Sequence, residues 1–171
     1  MSRLLRPLYD LCGVLAALAM VAMLLVILAQ IVTRWAGIGF PGATDYAGYL
    51  MAASSFFGLS YAFAHGAHIR VGLLLSRLTG RTRRLAELWC LGVGGGLAWY
   101  FAWYAVRGTY VSWLIHDISQ GRDATPLWIP QLAMAAGTVV FAVALTDRFL
   151  VVLTGGPVDL DATDRLDAAD R

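Results

Sequence analysis

The chain has 171 residues, of which 59% are hydrophobic and 14% are charged, and its mean hydropathy is +0.67. Soluble domains are about 45–50% apolar and about 25% charged, so this composition excludes an ordinary soluble fold. The net charge is only +2 and every basic residue is arginine, so the positions of the arginines say more than their sum. The apolar residues form blocks of about 20, the length of a helix that crosses a bilayer. We therefore predict an all-α integral membrane protein.

The first apolar block predicts a transmembrane helix over residues 11–32. Arginines precede it, as in a signal peptide, but its apolar stretch of about 22 residues exceeds the usual length of about 7–15. No clean cleavage site follows, and we interpret the block as a retained first span. A segment rich in glycine, with Pro41, then turns the chain towards the second span.

Residues 46–65 predict the second span, in which small residues recur at alternating steps of four and three. Such a stripe lets helix backbones approach closely in lipid, where dispersion rather than the hydrophobic effect joins helices. We expect it to pack against another helix, of this chain or of a partner. The stripe consists of Gly48, Ala52, Ser55, Leu59, Ala62 and Gly66.

A basic segment, AHGAHIRVGLLLSRLTGRTRRL, follows the second span. His65 ends the span, and Gly66 can adopt the left-handed conformation that stops a helix. His68 and Arg70 then begin a basic turn, and we expect them to anchor the chain and contact a partner. The leucines after Arg70 would share one side of a short interfacial helix, with arginines facing the headgroups.

Residues 85–110 predict the third span, which carries Gly92 and Gly96 in the register of a helix-packing motif. Residues 130–153 predict the fourth span, and Pro130 stands in its first turn, where a missing N–H costs no hydrogen bond. The acidic, alternating segment 154–171 is typical of a disordered tail. An aromatic belt is predicted near the end of the third span, at Trp99, Tyr100, Trp103, Tyr104, Tyr110 and Trp113.

The arginines predict the orientation of the four spans. They concentrate before the first span, between the second and third spans, and in the tail, whereas the other two loops contain only Arg34 and Arg122. The positive-inside rule then places both termini and the second loop in the cytoplasm. Asp45 and Arg107 fall near the outer side, and Glu87 falls near the cytoplasmic side.

No span has an ionisable residue at its middle, where such residues are expensive and persist mainly for function. A haem anchor would need histidines at similar depth on facing helices, but His65 and His68 fall at the cytoplasmic end and His116 in an outer loop. The only glutamate, Glu87, lacks the histidine of a di-iron motif, and no further zinc ligand accompanies the histidine pair. We therefore predict no catalytic residue, metal or cofactor on this chain.

Three segments together resemble a known family: GATDYAGYL entering the second span, FFGLSYAFAHGAHIRVGLLLSRL leaving it, and TPLWIPQ entering the fourth. The chain is similar to the small membrane subunit (DctQ-like) of tripartite ATP-independent periplasmic (TRAP) transporters. The most specific part is the G-x-H-I-R-V signature from Gly66 to Val71. The acidic pair often seen before the second span appears here as Thr44-Asp45.

The resemblance implies a scaffold in the bacterial inner membrane that works with two partners. One is a large multi-span subunit that holds the sodium and substrate sites and moves substrate by an elevator motion. The other is a periplasmic binding protein that delivers a solute, commonly a carboxylate such as a dicarboxylate. The chain itself would be no enzyme and would contact membrane lipids but no nucleic acid. The residues expected to contact partners are Asp45, Gly48, Ala52, Ser55, Gly66, His68, Arg70 and Pro130.

Two alternatives stay open from the residues alone. A membrane anchor of a respiratory oxidoreductase would bind quinone or haem between its helices, and a Soret band or bound quinone would reveal it. A small exporter that acts as a dimer would need a carboxylate at mid-depth, and none is found there.

Overall fold

The computed structural model describes residues 5–65, 81–121 and 124–155 of the chain. These residues form four α-helices, joined by short turns and one isolated bridge between Ile118 and Pro126. The prediction of an all-α protein is confirmed for this part of the chain. The helices are α1 (Arg6–Trp35), α2 (Ala43–Ala64), α3 (Arg81–Leu114) and α4 (Trp128–Leu153).

Among the described residues, three helices are long and apolar enough to cross a membrane, judged by length and composition: α1, α3 and α4. Each exceeds the roughly 20 residues that a span requires. The remaining helix, α2, has 22 residues but is rich in small and hydroxyl-bearing side chains and begins near Asp45. The fourth span and the orientation of the termini therefore stay predictions.

The helices form two antiparallel pairs, α1 with α2 and α3 with α4. The two pairs contact each other through α2 and α4. Gly13 of α1 faces Tyr61 of α2, while Gln30 reaches Thr44 at the opposite end of the same pair. The pair of α3 and α4 is also antiparallel, and α2 and α4 pack side by side in the same direction. Both loops, 36–42 and 115–127, consequently lie at one end of the molecule, which we call the loop end. The opposite end, where α1 and α3 begin, is called here the terminus end.

The two pairs meet where α2 crosses α4 at a glycine. A Cβ atom at Gly137 would lie 2.7 Å from Cβ of Phe56 and 2.9 Å from its carbonyl carbon, so only glycine lets the two backbones come this close. The fully buried Ser60 donates a hydrogen bond of 2.9 Å to the carbonyl oxygen of Gly137. One helical turn further on, the rings of Phe63 and Phe141 meet edge to face, with centroids 5.6 Å apart.

The face of α3 that packs on α4 is a stripe of small residues. Its register differs from the glycine motif noted in the sequence, because Gly92 contacts the ring of Phe149 while Gly96 faces open space. Beyond Gly95 the buried positions recur at alternating steps of three and four, which keeps one face of a helix against its neighbour. These positions are Ala98, Ala102, Ala105, Thr109 and Ser112.

Charged side chains are buried at the terminus end. Arg84 donates hydrogen bonds of 3.2 and 2.8 Å to the carbonyl oxygen of Val152 and one of 3.1 Å to that of Leu153, which satisfies the last carbonyls of α4. Glu87 lies one turn beyond Arg84 on α3 and is 5% exposed. Arg148 lies one turn before Val152 on α4 and is fully buried. The contacts of Arg84 therefore bring Glu87 and Arg148 to the same level of adjacent helices.

Several predictions fall outside the described residues. These are the interfacial helix between the second and third spans, most of the acidic tail, and the partner-contact residues Gly66, His68 and Arg70. They stay predictions.

Candidate functional site

The start of α2 is fastened to the loop between α3 and α4. The hydroxyl of Tyr49 donates a hydrogen bond of 2.6 Å to Oγ of Ser119, and the same oxygen accepts one of 3.2 Å from the backbone N–H of Gly121. The carboxylate of Asp45 packs so closely against Gly121 that a Cβ atom there would overlap it. We call the contacts among Asp45, Tyr49, Ser119 and Gly121 the loop-end latch.

The loop itself is shaped by backbone hydrogen bonds that form a small hairpin. Ser119 donates 2.8 Å to the carbonyl oxygen of Thr125, and Leu127 donates 3.0 Å to that of Asp117. His116, just before this hairpin, and Ala124, near its tip, adopt left-handed φ angles of 53° and 42°. A non-glycine residue with positive φ is strained and persists only where its surroundings hold it. The two backbone hydrogen bonds thus hold residues 117–119 beside residues 125–127.

Gly121→Ala is expected to open the loop-end latch, because the new methyl group takes the place of the Asp45 carboxylate. The free energy of unfolding should fall by about 1–3 kcal/mol, the usual cost of overpacking. Tyr49→Phe, which removes one neutral hydrogen bond, should cost only about 1 kcal/mol. Chemical unfolding in detergent, followed by circular dichroism, measures both. A larger loss for Tyr49→Phe than for Gly121→Ala would contradict this view of the latch.

The loop-end part of the predicted stripe of α2 is turned away from the other described helices. Gly48 and Ser55 are exposed, and a Cβ atom on Gly48 would meet nothing within 4 Å. Ser55 donates a hydrogen bond of 2.8 Å to the carbonyl oxygen of Met51, within its own helix. Ala52 is half-buried beside them. The side-chain contacts of α2 with the other described helices come from different residues, so Gly48 and Ser55 face away from those helices.

Two further predicted residues stand at the loop end. Asp45 is half-buried in the first turn of α2, where a negative charge is favoured by the helix dipole. Pro130 is half-buried at the third residue of α4. Its missing N–H falls among the first-turn donors that have no partner inside the helix. The structure therefore places both residues at the same end but does not bring Pro130 into the loop-end latch.

The histidines described by the structure lie at opposite ends of the molecule. At the terminus end, Nε2 of His65 is 3.3 Å from Oδ1 of Asp10, and its ring packs on Tyr61 with centroids 4.1 Å apart. Nδ1 of His65 donates 3.0 Å to the carbonyl oxygen of Tyr61, so the ring ties α1 to the last turn of α2. His116 belongs to the loop end.

Within the described ranges, no group of three histidine, cysteine, aspartate or glutamate side chains could hold a metal ion. Cys12 is buried, Cys90 is exposed, and both are free thiols. The arrangement of these residues therefore joins helices and offers surfaces, and a reaction centre is not evident in this part of the chain.

Sequence reasoning missed the residues that join the elements. Tyr49 stands in the predicted second span, and nothing in the loop indicates that Ser119 is its partner. Gly137 did carry a signal, because an isolated glycine inside an apolar helix indicates a close backbone approach. Gly121 precedes Arg122 in a polar loop and gave no such signal.

The family model for the DctQ component of tripartite ATP-independent periplasmic transporters matches residues 23–155. The match covers most of the chain, from the middle of α1 through the end of α4. The chain belongs to this family. It is therefore a small membrane component of TRAP transporters, and the resemblance noted in the sequence is confirmed. A comparison with curated proteins gives no match.

Members of the DctQ family function with a large membrane subunit and a periplasmic binding protein. The matched region includes the α2 face, the loop-end latch and the contact at Gly137. The buried charges Glu87 and Arg148 also fall inside it. The features that shape this DctQ component therefore belong to the family domain, whereas Tyr9, Cys12 and Gly13 lie before it.

Proposed function

We propose that this DctQ component is the non-catalytic scaffold of a sodium-coupled importer. In this proposal the large membrane subunit holds sodium and substrate and moves in the manner of an elevator. A periplasmic binding protein delivers the solute, which we take to be a carboxylate. The observation that carries the proposal is the combination of the family match with an exposed face of small residues on α2.

A scaffold must resist the force of a moving neighbour, and the internal contacts of this chain suit that task. The helix α4 packs between α2 and α3. Its Gly137 lies against Phe56 of α2 and accepts a hydrogen bond from Ser60, which holds the two backbones close. The loop-end latch fastens one end of α2, and the contact of His65 with Asp10 fastens the other. Contacts at both ends and at the middle support a rigid body rather than a moving part.

The exposed face of α2 is our candidate for the surface that binds the large subunit. Close helix packing in lipid depends on small side chains that let backbones approach. Gly48, Ala52 and Ser55 offer such a surface, and among residues 5–65, 81–121 and 124–155 no hydrogen bond joins any of the three to another helix. A bulky side chain here would push a partner helix away without disturbing the monomer.

Gly48→Leu tests the proposal in the protein co-expressed with its large subunit. We expect the amount of large subunit that co-purifies with the tagged chain to fall at least tenfold, a loss of about 1.4 kcal/mol or more of binding free energy. The matched control is Gly108→Leu, because Gly108 is also a helical glycine with open space around it. Because both glycines have open space around them, we expect the two variants to have similar thermal unfolding temperatures.

Two results would contradict the proposal. One is transport by the chain alone, reconstituted in vesicles without partners, because a scaffold has no transport path of its own. The other is undiminished co-purification of Gly48→Leu with the large subunit, which would place the binding surface elsewhere. The respiratory-anchor alternative would be supported by a Soret band or bound quinone in the purified complex.

A further inference from the structure

A second surface lies between the loop-end halves of α3 and α4. It is an open groove of about 630 Å³ in which one wall comes from each helix. Small side chains, Ala135 and Ala136, lie between larger ones, and this difference in size creates the recess. The α3 wall is formed by Val106, Thr109, Tyr110 and Trp113, and the α4 wall by Trp128, Leu132, Ala135, Ala136, Val139 and Val140.

The chemistry of the groove is almost wholly apolar. None of its lining side chains carries a charge. Its one aliphatic hydroxyl, on Thr109, donates a hydrogen bond of 2.9 Å to the carbonyl oxygen of Ala105. This hydroxyl therefore needs no acceptor from a molecule bound in the groove. Tyr110, Trp113 and Trp128 lie towards the loop end, where amphipathic rings mark the edge of a bilayer.

The size of the groove discriminates between occupants. An α-helix with its side chains is about 10–12 Å across, so a single turn takes up roughly 500 Å³. The groove could therefore hold little more than one turn, whereas a partner helix would follow α3 and α4 for several turns. A narrower apolar chain can lie along the recess for its whole length.

A positive charge borders the groove. Arg107 follows Val106 directly and precedes Tyr110 by three residues, so it lies next to the α3 wall, and its side chain is exposed. A long arginine side chain on a membrane helix extends its guanidinium towards the headgroups. An arginine also pairs well with phosphate, because its planar donors match the oxygens. The surface thus combines an apolar channel with one cation near the predicted bilayer edge.

We propose that this groove binds one acyl chain of an anionic phospholipid, whose phosphate pairs with Arg107. The acyl chain of the lipid occupies the recess over Ala135 and Ala136. The aromatic rings of the groove surround the part of the acyl chain that lies nearest the loop end. This inference does not depend on the proposed transport function, because it rests only on the groove and its bordering charge.

The experiment uses the full chain in phosphatidylcholine vesicles that contain a trace of phospholipid with a photoactivatable acyl chain. Two probes are compared, one with a phosphatidylglycerol headgroup and one with phosphatidylcholine. Mass spectrometry then locates the labelled peptides. We expect labelling concentrated on the α3 and α4 walls and several-fold stronger for the phosphatidylglycerol probe.

Two variants separate the acyl chain from the headgroup. Ala136→Trp fills the recess and should lower labelling of the groove about tenfold for both probes. Arg107→Gln should abolish the preference for phosphatidylglycerol while leaving labelling by phosphatidylcholine in place. The matched control is Ala17→Trp, a change at an exposed alanine of α1, which should leave groove labelling unchanged.

Three outcomes would overturn the proposal. Equal labelling of α1 and of the groove would mean bulk lipid only. Equal labelling by both probes would remove the role of Arg107. A dimer on native gels that Ala136→Trp dissociates would show that a second copy of the chain, rather than a lipid, occupies the groove.

Discussion

Gly137→Ala is expected to lower the free energy of unfolding by about 2–3 kcal/mol, although it adds a single methyl group to an apolar helix. The reason is the crossing of α2 and α4, where the new Cβ atom would lie 2.7 Å from Cβ of Phe56 and 2.9 Å from its backbone carbon. A side chain can rotate away, but a helix backbone cannot move without separating the two helices. The hydrogen bond from Ser60 to the Gly137 carbonyl oxygen would be lost in the same displacement.

The measurement is chemical unfolding of the purified chain in detergent, followed by circular dichroism. Gly108→Ala is the control, since Gly108 is also helical but has nothing within 4 Å of its added Cβ. There the change should stabilise the protein by about 0.5–1 kcal/mol, because alanine favours the helix. If both variants changed stability by the same amount, the close contact at Gly137 would not limit the fold.

Arg148→Met is expected to cost about 3–5 kcal/mol, the loss that follows when one member of a buried charge pair is removed. Arg148 is fully buried on α4, and Glu87 is 5% exposed on α3 at the same level. Both side chains take part in polar or electrostatic contacts. A charge buried without compensation is strongly unfavourable, so the loss should be large if Arg148 compensates the charge of Glu87.

The double variant Glu87→Met with Arg148→Met provides the decisive comparison. We expect it to recover most of the lost stability, because apolar residues that replace both charges are often neutral or stabilising. Arg34→Met, at an exposed arginine of α1, should change stability by less than about 0.5 kcal/mol. If the double variant lost the sum of the two single effects, Glu87 and Arg148 would act independently.

The helical elements could be predicted because lipid imposes a simple rule: an apolar block of about 20 residues must satisfy its backbone internally and so forms a helix. All four predicted spans correspond to helices, but the helices extend further. α1 begins at Arg6 rather than at residue 11, and α3 continues to Leu114 rather than to residue 110. Backbone hydrogen bonding does not stop at the bilayer edge, so hydropathy marks the apolar part of a helix and not its ends.

The packing faces were harder to predict than the helices. In α3 the noted motif was Gly92 and Gly96, yet only Gly92 lies against α4, at the ring of Phe149, while Gly96 faces open space and the buried face continues from Ala98. Three adjacent glycines leave the register undecided, and the periodic alanines further along α3 settle it. In α2, a Cβ atom at Gly48 would meet no described residue within 4 Å, so the packing of this stripe against a partner stays a prediction.

The sequence by itself determined the helical class, the positions of the four helices that the structure describes and the family, since these depend on local composition and on motifs contiguous in the chain. Only the tertiary structure decided which helices meet and through which residues. Tyr49 reaches Ser119, 70 positions away, and Ser60 reaches Gly137, 77 positions away. The free energy of such contacts depends on how closely two helices approach, and that distance is set by the packing of all four together.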